Sequence, residues 1–387
     1  MSVLNVEKPA FMAEEDIAIF EDAVGKFFDE HAPEETVAKW RKNHCVDRDM
    51  WTKAGEAGLL GLSTPEQYGG AGGDYRHEVV LMEQLGKKGV DGFGASLHNA
   101  IVMPYIVHYG TEEQKQRWLP RMVTGELVSA IAMTEPGAGS DLQGIKTTAK
   151  KAGNQYVING SKTFITNGQT ANLICVVAKT DPAGGARGTS LIFVETDEVE
   201  GFKRGRNLDK LGQEAQDTSE LFFNDVKVPT ENLLGTDEGQ GFFQLMSQLP
   251  QERLNIAVQG MATIERALEL TIAYVKDRKA FGKAIIDFQN TQFVLAECKT
   301  EATVAKVFVN HCIAQHLEAK LDAATASMAK YWVSDLENKI VDRCLQLFGG
   351  YGFMNEYPIA RMYKDSRIQR IYGGTNEIMK LLIARTL

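Results

Sequence analysis

At 387 residues with a formal net charge of −9, the chain is long enough for two or three domains and a large buried core, and too acidic for non-specific nucleic-acid binding as its main activity. The same balance gives no reason to expect an anionic membrane surface as partner; no apolar run approaches membrane-spanning length, and the N-terminus carries neither a basic region ahead of an apolar core nor an Arg-rich stretch, so no targeting peptide is expected. Cys45, Cys175, Cys298, Cys312 and Cys344 are dispersed without a CxxC pair or a metal-ligand spacing, which fits a reducing compartment.

In chain order, residues 1–125 read as a helical domain. Ile17, Phe20, Val24, Phe27 and Phe28 form one helical stripe that Pro33 closes. Asp47 is placed to cap a helix carrying Met50, Trp51 and Ala54, with Gly58 ending it. Thr111 and Gln114 have capping-box spacing ahead of Trp118 and Leu119. The loop Gly69-Gly70-Ala71-Gly72-Gly73 follows no strand and lacks GxGxxG, so it is no dinucleotide fingerprint. Over residues 126–235 the period changes: LVSAIAMT, YVING, NLICVVAKT, GTSLIFVET and ELFFNDVKVP are short β-rich runs broken by turns such as Ala152-Gly153-Asn154 and Pro182-Ala183-Gly184-Gly185. With no long helical pattern between them, the sheet is expected to be mainly antiparallel, a small barrel or sandwich. Residues 236–387 return to helix, with long segments near 253–276, 288–317 and 322–348 suited to a bundle. The fold class is therefore α+β, ordered helical, β, helical, with one bundle on either side.

Two stretches point to a site. Ala132-Met133-Thr134-Glu135-Pro136-Gly137-Ala138-Gly139-Ser140-Asp141 ends the first β run; its small residues expose backbone amides, and Thr134 and Ser140 add hydroxyls. Such a loop can cradle phosphate oxygens or hydrogen-bond a heteroaromatic edge, and it can also be an ordinary strand-end turn. Phe164-Ile165-Thr166 offers an aromatic face and a hydroxyl, although a lone aromatic usually packs in a core. Near the C-terminus, Gly349-Gly350 with Gly352 and then Gly373-Gly374 interrupt helical pattern and permit close backbone approach. Thr375, Glu377 and the apolar run after them read as a helix start whose first amides can face an anion or a polar ring. A surface helix pair with a glycine-capped turn accounts for the same residues.

AMTEPGAGSD and the stretch 346–385 together resemble the two signature regions of the acyl-CoA dehydrogenase family, and RKAFGK at 278–283 resembles the segment whose arginine reaches the FAD of a neighbouring subunit. The resemblance spans essentially the whole chain. It implies an N-terminal helical domain, a central antiparallel β-barrel or sandwich domain and a C-terminal four-helix bundle, assembled as a homotetramer. It further implies FAD as cofactor, an acyl-CoA substrate and an electron-transferring flavoprotein as electron acceptor. Carried over residue by residue, it assigns Ile131, Met133, Thr134, Gly139, Ser140, Phe164 and Thr166 to the flavin ring and its phosphates. Arg278, Phe281, Phe288 and Gln289 are assigned to contributions across a subunit interface, and Gln346, Gly349, Gly350, Thr375 and Glu377 to the adenine dinucleotide half. Ser140 also resembles the serine touching the coenzyme A part of the substrate, and Arg253 and Gly374 are placed with the substrate.

One departure bears on mechanism. Short- and medium-chain members carry their catalytic glutamate directly before the Gly-Thr of the last motif, where this chain has Gly373. The isovaleryl and long-chain branches carry it on another helix, directly before an arginine, and LPQERL supplies Glu252 followed by Arg253. Independently, Leu245, Leu249, Glu252, Ile256 and Gly260 fall on one helical stripe, which puts an acid on an apolar face. The resemblance then implies that Glu252 removes the thioester α-proton and that the Gly373 amide, with a flavin ribityl hydroxyl, hydrogen-bonds the thioester carbonyl. Hydride passes to flavin N5, leaving a trans-2-enoyl thioester. Burial is expected to raise the pKa of Glu252. The sequence places no arginine near Gly92, where glutaryl-type members hold a substrate carboxylate, so a simple medium-chain, long-chain or branched acyl group is preferred, in fatty-acid or branched-chain breakdown. The expected location is the bacterial cytoplasm or, for a processed form, the mitochondrial matrix. An acyl-CoA oxidase would use the same residues. Relatives that bind nucleic acid or work without a base predict a basic patch or a missing glutamate, and a desulfinase or nitroalkane oxidase would need another side chain at the base position.

Overall fold

The computed structural model describes residues 3–90 and 92–387. Its first part holds α1 (Glu15–His31), α2 (Glu34–Asn43), α3 (Arg48–Glu56), α4 (Tyr75–Lys88), α5 (Ala95–Leu97), α6 (Met103–Tyr109) and α7 (Glu112–Val123). The α1 stripe buries Ile17, Val24, Phe27 and Phe28, and Pro33 stands at the junction of α1 and α2. The capping box of α7 forms as its spacing requires: Gln114 N–H donates to Thr111 Oγ1 (3.3 Å) and Thr111 N–H to Gln114 Oε1 (3.0 Å). Asp47 does begin α3, but its carboxylate caps nothing; Lys39 Nζ (2.7 Å) and Trp40 Nε1 (3.0 Å) from α2 take it instead. A π-helical stretch, His98–Val102, joins α5 to α6. Pro104, in the first turn of α6, has no N–H, so the Ala100 carbonyl lacks its helical donor. That carbonyl accepts from Gln251 Nε2 (2.8 Å) and Asn255 Nδ2 (3.2 Å) of another helix.

One seven-stranded sheet follows: β1 (Ser129–Ala132), β2 (Thr148–Ala152), β3 (Gln155–Thr166), β4 (Leu173–Lys179), β5 (Thr189–Glu195), β6 (Phe202–Asn207) and β7 (Thr218–Pro229). The long ladders β3–β7, β4–β5 and β2–β3 are antiparallel. The β1–β4 ladder, Ser129↔Leu173 to Ala132↔Val176, is parallel, as is the single β2–β4 pair. β2 (TAKKA) and β6 (FKRGRN) escape the apolar-run pattern because both carry lysine or arginine on partly exposed faces. In the β3–β7 ladder the register slips between Lys162 and Ile165, a bulge of the kind that re-aims a side chain.

The last part contains α8 (Gly241–Asp277), a ribbon of β8 (Lys279–Ala280) and β9 (Lys283–Ala284), α9 (Gln289–Leu317), α10 (Ala323–Leu347), α11 (Pro358–Ser366) and α12 (Asn376–Ala384). α8 begins at Gly241 rather than near 253. Pro250 inside it imitates a helix start and conceals the turns before it. Three long helices are completed by the short pair α11 and α12, which lies against α10. The two helical parts are not separate bundles flanking the sheet. Val79, Met82 and Leu85 of α4 share one core with Leu254, Met261 and Ile264 of α8 and Val333 and Ile340 of α10; the sheet has its own core around Tyr156, Ile158 and Phe223 and a second one in which Cys175 and Phe193 pack on Tyr105 of α6 and Trp118 of α7. α8 is therefore the rod common to both helical parts. All five cysteines are free thiols. Among the described residues no helix is long and apolar enough to cross a membrane, and no group of His, Cys, Asp or Glu is placed to hold a metal.

Candidate active site

Between the sheet, α4–α5 and α8 lies a cavity of about 800 Å³. Ile131, Met133, Thr134, Gly139 and Ser140 line it from the loop after β1, Phe164 and Thr166 from the end of β3, Glu252 from α8, and Gly373, Gly374 and Thr375 from the turn before α12. The loop after β1 is anchored from beneath. Glu135 accepts from the amides of Lys146 (2.6 Å) and Thr147 (2.9 Å) and from Lys162 Nζ (2.9 Å), which also donates to the Met133 carbonyl (2.9 Å). Burial disfavours the Glu135 charge, yet the Lys162 ammonium and these amides hold its carboxyl below the ordinary range. Burial pushes the Lys162 ammonium down to about 8 against the pull of Glu135. No local pattern marks Lys162 or Glu135 as anchors.

Phe164 is not a core residue: it is 67% exposed and takes φ 60°, a left-handed backbone costly to a residue with a Cβ. The β3 bulge turns its ring toward the cavity. The walls suit the ring system of FAD. They offer that aromatic face, the hydroxyls of Thr134, Ser140 and Thr166, and at Gly139 a backbone that can be approached closely, since a Cβ there would meet only Thr134 Cγ2 at 3.9 Å.

Glu252 is buried, and its Oε1 accepts from Tyr105 Oη at 2.7 Å. Burial pushes its carboxyl up to about 7, opposed by the Tyr105 hydrogen bond and the Arg253 charge. Gly373 (φ 63°) and Gly374 (φ 91°) are both left-handed. A Cβ on Gly373 would stand 2.4 Å from Ile256 Cδ1, so the residue one turn beyond Glu252 fills the space a side chain at 373 would need. Lys330 pins the turn from α10, its Nζ donating to the Gly374 carbonyl (2.8 Å) and Asn376 Oδ1 (2.9 Å). Thr375 caps α12 by accepting from Ile378 N–H. Arg253 is buried on another face of α8, donates to Ser327 Oγ (3.4 Å), and is not part of the cavity wall. Of the other wall carboxylates, Glu337 of α10 sits beside Gly260, about 12 Å farther along α8 than Glu252.

From Glu252 the cavity follows Ile256, Gln259, Thr263 and Arg266 along one stripe of α8. Arg266 of α8 packs at Gly89, where a Cβ would stand 2.0 Å from its guanidinium, whereas a Cβ on Gly92 would meet Ala215 at 2.6 Å. Only the packing of α4 on α8 brings Arg266 to Gly89. A second hollow, about 400 Å³, is lined by Tyr274, Arg278, Phe348, Gly349, Gly350 and Tyr351. The Arg278 guanidinium lies 5.4 Å from the Tyr351 ring centre, and a Cβ on Gly349 or Gly350 would meet nothing within 4 Å. The residues assigned to the subunit interface and to the adenine dinucleotide half are thus divided. Thr375 lies in the first cavity, Arg278, Gly349 and Gly350 in the second, and Phe281 (96% exposed), Phe288, Gln289, Gln346 and Glu377 in neither.

Three family models match in succession: acyl-CoA dehydrogenase N-terminal domain at residues 14–126, middle domain at 130–226 and C-terminal domain at 239–387. The chain is 50% identical over 380 residues to the mitochondrial long-chain specific acyl-CoA dehydrogenase of Mus musculus, covering 97% of this chain and 87% of that protein. It superposes on the crystal structure of an acyl-CoA dehydrogenase from Geobacillus kaustophilus with a TM-score of 0.94 at 49% identity, covering 96% and 98% of the two chains. On a glutaryl-CoA dehydrogenase from Mycobacterium smegmatis in complex with FADH2 the TM-score is 0.90 at 28% identity, covering 98% and 96%.

Proposed function

This chain belongs to the acyl-CoA dehydrogenase family and its cofactor is FAD, and from that premise we propose that it oxidises long-chain, including branched, saturated acyl-CoA thioesters to trans-2-enoyl thioesters with Glu252 as the base. The observation that carries this reading is the meeting of Glu252 and Gly373 in one cavity, with Ile256 between their positions. The thioester carbonyl accepts from the Gly373 amide, which stabilises the negative charge that develops there and loosens the α-proton. Glu252 takes that proton; a carboxyl titrating near 7 is a far stronger base than an exposed one and is still substantially ionised at neutral pH. Bound FAD supplies the acceptor for the hydride lost from the β-carbon. Ile131, Thr134, Phe164 and Thr166 would hold its ring, and the buried Glu252 and Ile256 wall of α8 excludes water.

The length of the α8 stripe supports a long acyl chain. Glu252 to Arg266 is fourteen residues, about 21 Å at 1.5 Å each. An extended hydrocarbon with bonds of about 1.5 Å and angles near 111° advances about 1.25 Å per carbon, so the stripe matches about seventeen carbons. The separation of Arg278, Gly349 and Gly350 from the cavity that Thr375 lines supports a homotetramer in which those three residues serve a neighbour's FAD. An electron-transferring flavoprotein is the proposed acceptor, and the bacterial cytoplasm or the mitochondrial matrix the proposed location. Glu252→Gln should retain flavin and lose turnover by about 10²–10⁴-fold, while a series of thioesters from C4 to C18 should bleach the flavin fastest at the long end. Near-normal turnover in Glu252→Gln overturns the base assignment. An oxidase is separated by mixing reduced protein with oxygen or with the flavoprotein and following reoxidation.

A further inference from the structure

We propose that Tyr105 is the positioning residue for proton abstraction, aimed at Glu252 by the π-helical stretch and the proline that precede it; this rests on Glu252 being the base. Ala95 to Tyr109 would be one regular helix but for His98–Val102. A π turn carries one extra residue and so rotates the turns beyond it by about 100° relative to an α-helix. Pro104 then frees the Ala100 carbonyl, which Gln251 and Asn255 of α8 occupy. Those two residues bracket Glu252, and Tyr75 Oη of α4 donates to Asn255 Oδ1 at 2.7 Å, fixing that amide's orientation. The two helices are thereby registered within one turn of Glu252, and Tyr105, fully buried, meets its Oε1 at 2.7 Å.

The titratable groups facing Glu252 are Tyr105 on α6, Cys175 on β4 and Arg253 on α8 itself, with Lys330 of α10 behind Arg253 and Tyr109 beside Tyr105. Burial pushes the Tyr105 hydroxyl and the Cys175 thiol well above their ordinary values, so both stay protonated and Tyr105 remains a donor. With Oε1 held, Oε2 is left to the substrate. The α C–H bond breaks, its electron pair moves into the enolate, and the O–H bond forms at Oε2. Oε1 still accepts from Tyr105 afterwards, so no partner has to be exchanged during the transfer.

The test uses the FAD-loaded protein and a thioester whose β-carbon is replaced by sulfur, which can lose an α-proton but has no β-hydride. Its α-proton exchange in D₂O is followed by NMR from pH 5 to 9. Tyr105→Phe should move the half-point of exchange upward by about one to two pH units, the shift for losing one hydrogen bond to a charged acceptor. Tyr109→Phe should not move it. Pro104→Ala restores an N–H that competes for the Ala100 carbonyl, and it should shift the half-point in the same direction by less. An unchanged half-point in a folded, flavin-loaded Tyr105→Phe protein overturns the proposal, as does an unchanged half-point in Pro104→Ala if Tyr105→Phe does not fold. Exchange at the unmodified rate in Glu252→Gln overturns instead the assignment of the base.

Discussion

Replacing Thr263 by phenylalanine should convert a long channel into a shorter one. Thr263 lies eleven residues beyond Glu252 on the cavity stripe, about 16–17 Å along α8, which at about 1.25 Å per carbon is the level of carbon 14 or 15. Its hydroxyl donates back to the Gln259 carbonyl at 3.2 Å, so the hydrogen bond lost lies within the helix. Gly86 and Gly89 also line the cavity here, and a Cβ on Gly86 would meet Ala262 of α8 at 2.6 Å, so α4 packs directly on α8 and leaves little room beside Thr263 for a phenyl ring and an acyl chain together. An eighteen-carbon chain would have about four carbons denied burial, at about 0.8 kcal/mol each. That is about 3 kcal/mol, or roughly two hundredfold in kcat/KM. Dodecanoyl-CoA, ending short of the block, should keep its value within about a factor of three. The assay is kcat/KM for C8, C12, C16 and C18 thioesters with an artificial electron acceptor, on preparations of matched flavin content. Equal losses at C12 and C18, or no loss at C18, would show that the acyl chain does not run along this stripe.

Gly373→Ala should lower both stability, by about 1–2 kcal/mol, and kcat, because a left-handed backbone and Ile256 Cδ1 both oppose a Cβ; adding Ile256→Val removes the colliding atom and should restore part of the loss, and strict additivity in the cycle would refute the contact. Lys162→Met leaves Glu135 buried without its cation, a change of about 3–5 kcal/mol, and should appear as a lower melting temperature and loss of FAD on gel filtration; full flavin retention would count against the loop being anchored this way. Glu78, whose Oε1 accepts from Ser63 Oγ at 2.9 Å, is pushed by burial up to about 7. Its raised folded-state value means the folded chain keeps a proton the unfolded chain has released, so its contribution is fullest below about 4.5 and is lost as pH rises through about 7. Glu78→Gln should therefore gain up to about 3 kcal/mol at pH 8 relative to pH 5 in urea unfolding, and an equal effect at both pH values would refute it.

The helical, β, helical order was legible because hydrophobic period changes twice along the chain, and β2 and β6 were not because lysine and arginine interrupt any apolar run there. Pro250 concealed the start of α8 for a local reason. The core shared by α4, α8 and α10 was illegible for a different one: a stripe declares that a face is apolar, not which neighbour covers it. Glu252 could be singled out because an acid on an apolar stripe is anomalous and position 373 lacks one. Arg253, beside it, was grouped with the substrate, yet successive helical residues point about 100° apart, and it faces Ser327. Tyr105, Lys162 and Arg266 carried no signal, since each matters through a partner distant in sequence.

α8 is also a strut. From Glu252 to Asp277 it runs about 38 Å with no proline after Pro250 to act as a joint, and it ends where Arg278 and the β8–β9 ribbon begin. A tilt of only about 3° at one end displaces the other by about 2 Å, more than the roughly 1 Å at which chemistry already suffers. Drift in the outer ribbon is therefore answerable to a carboxylate it never touches, and lineages that remodel that ribbon must re-level the beam through α4 or α10.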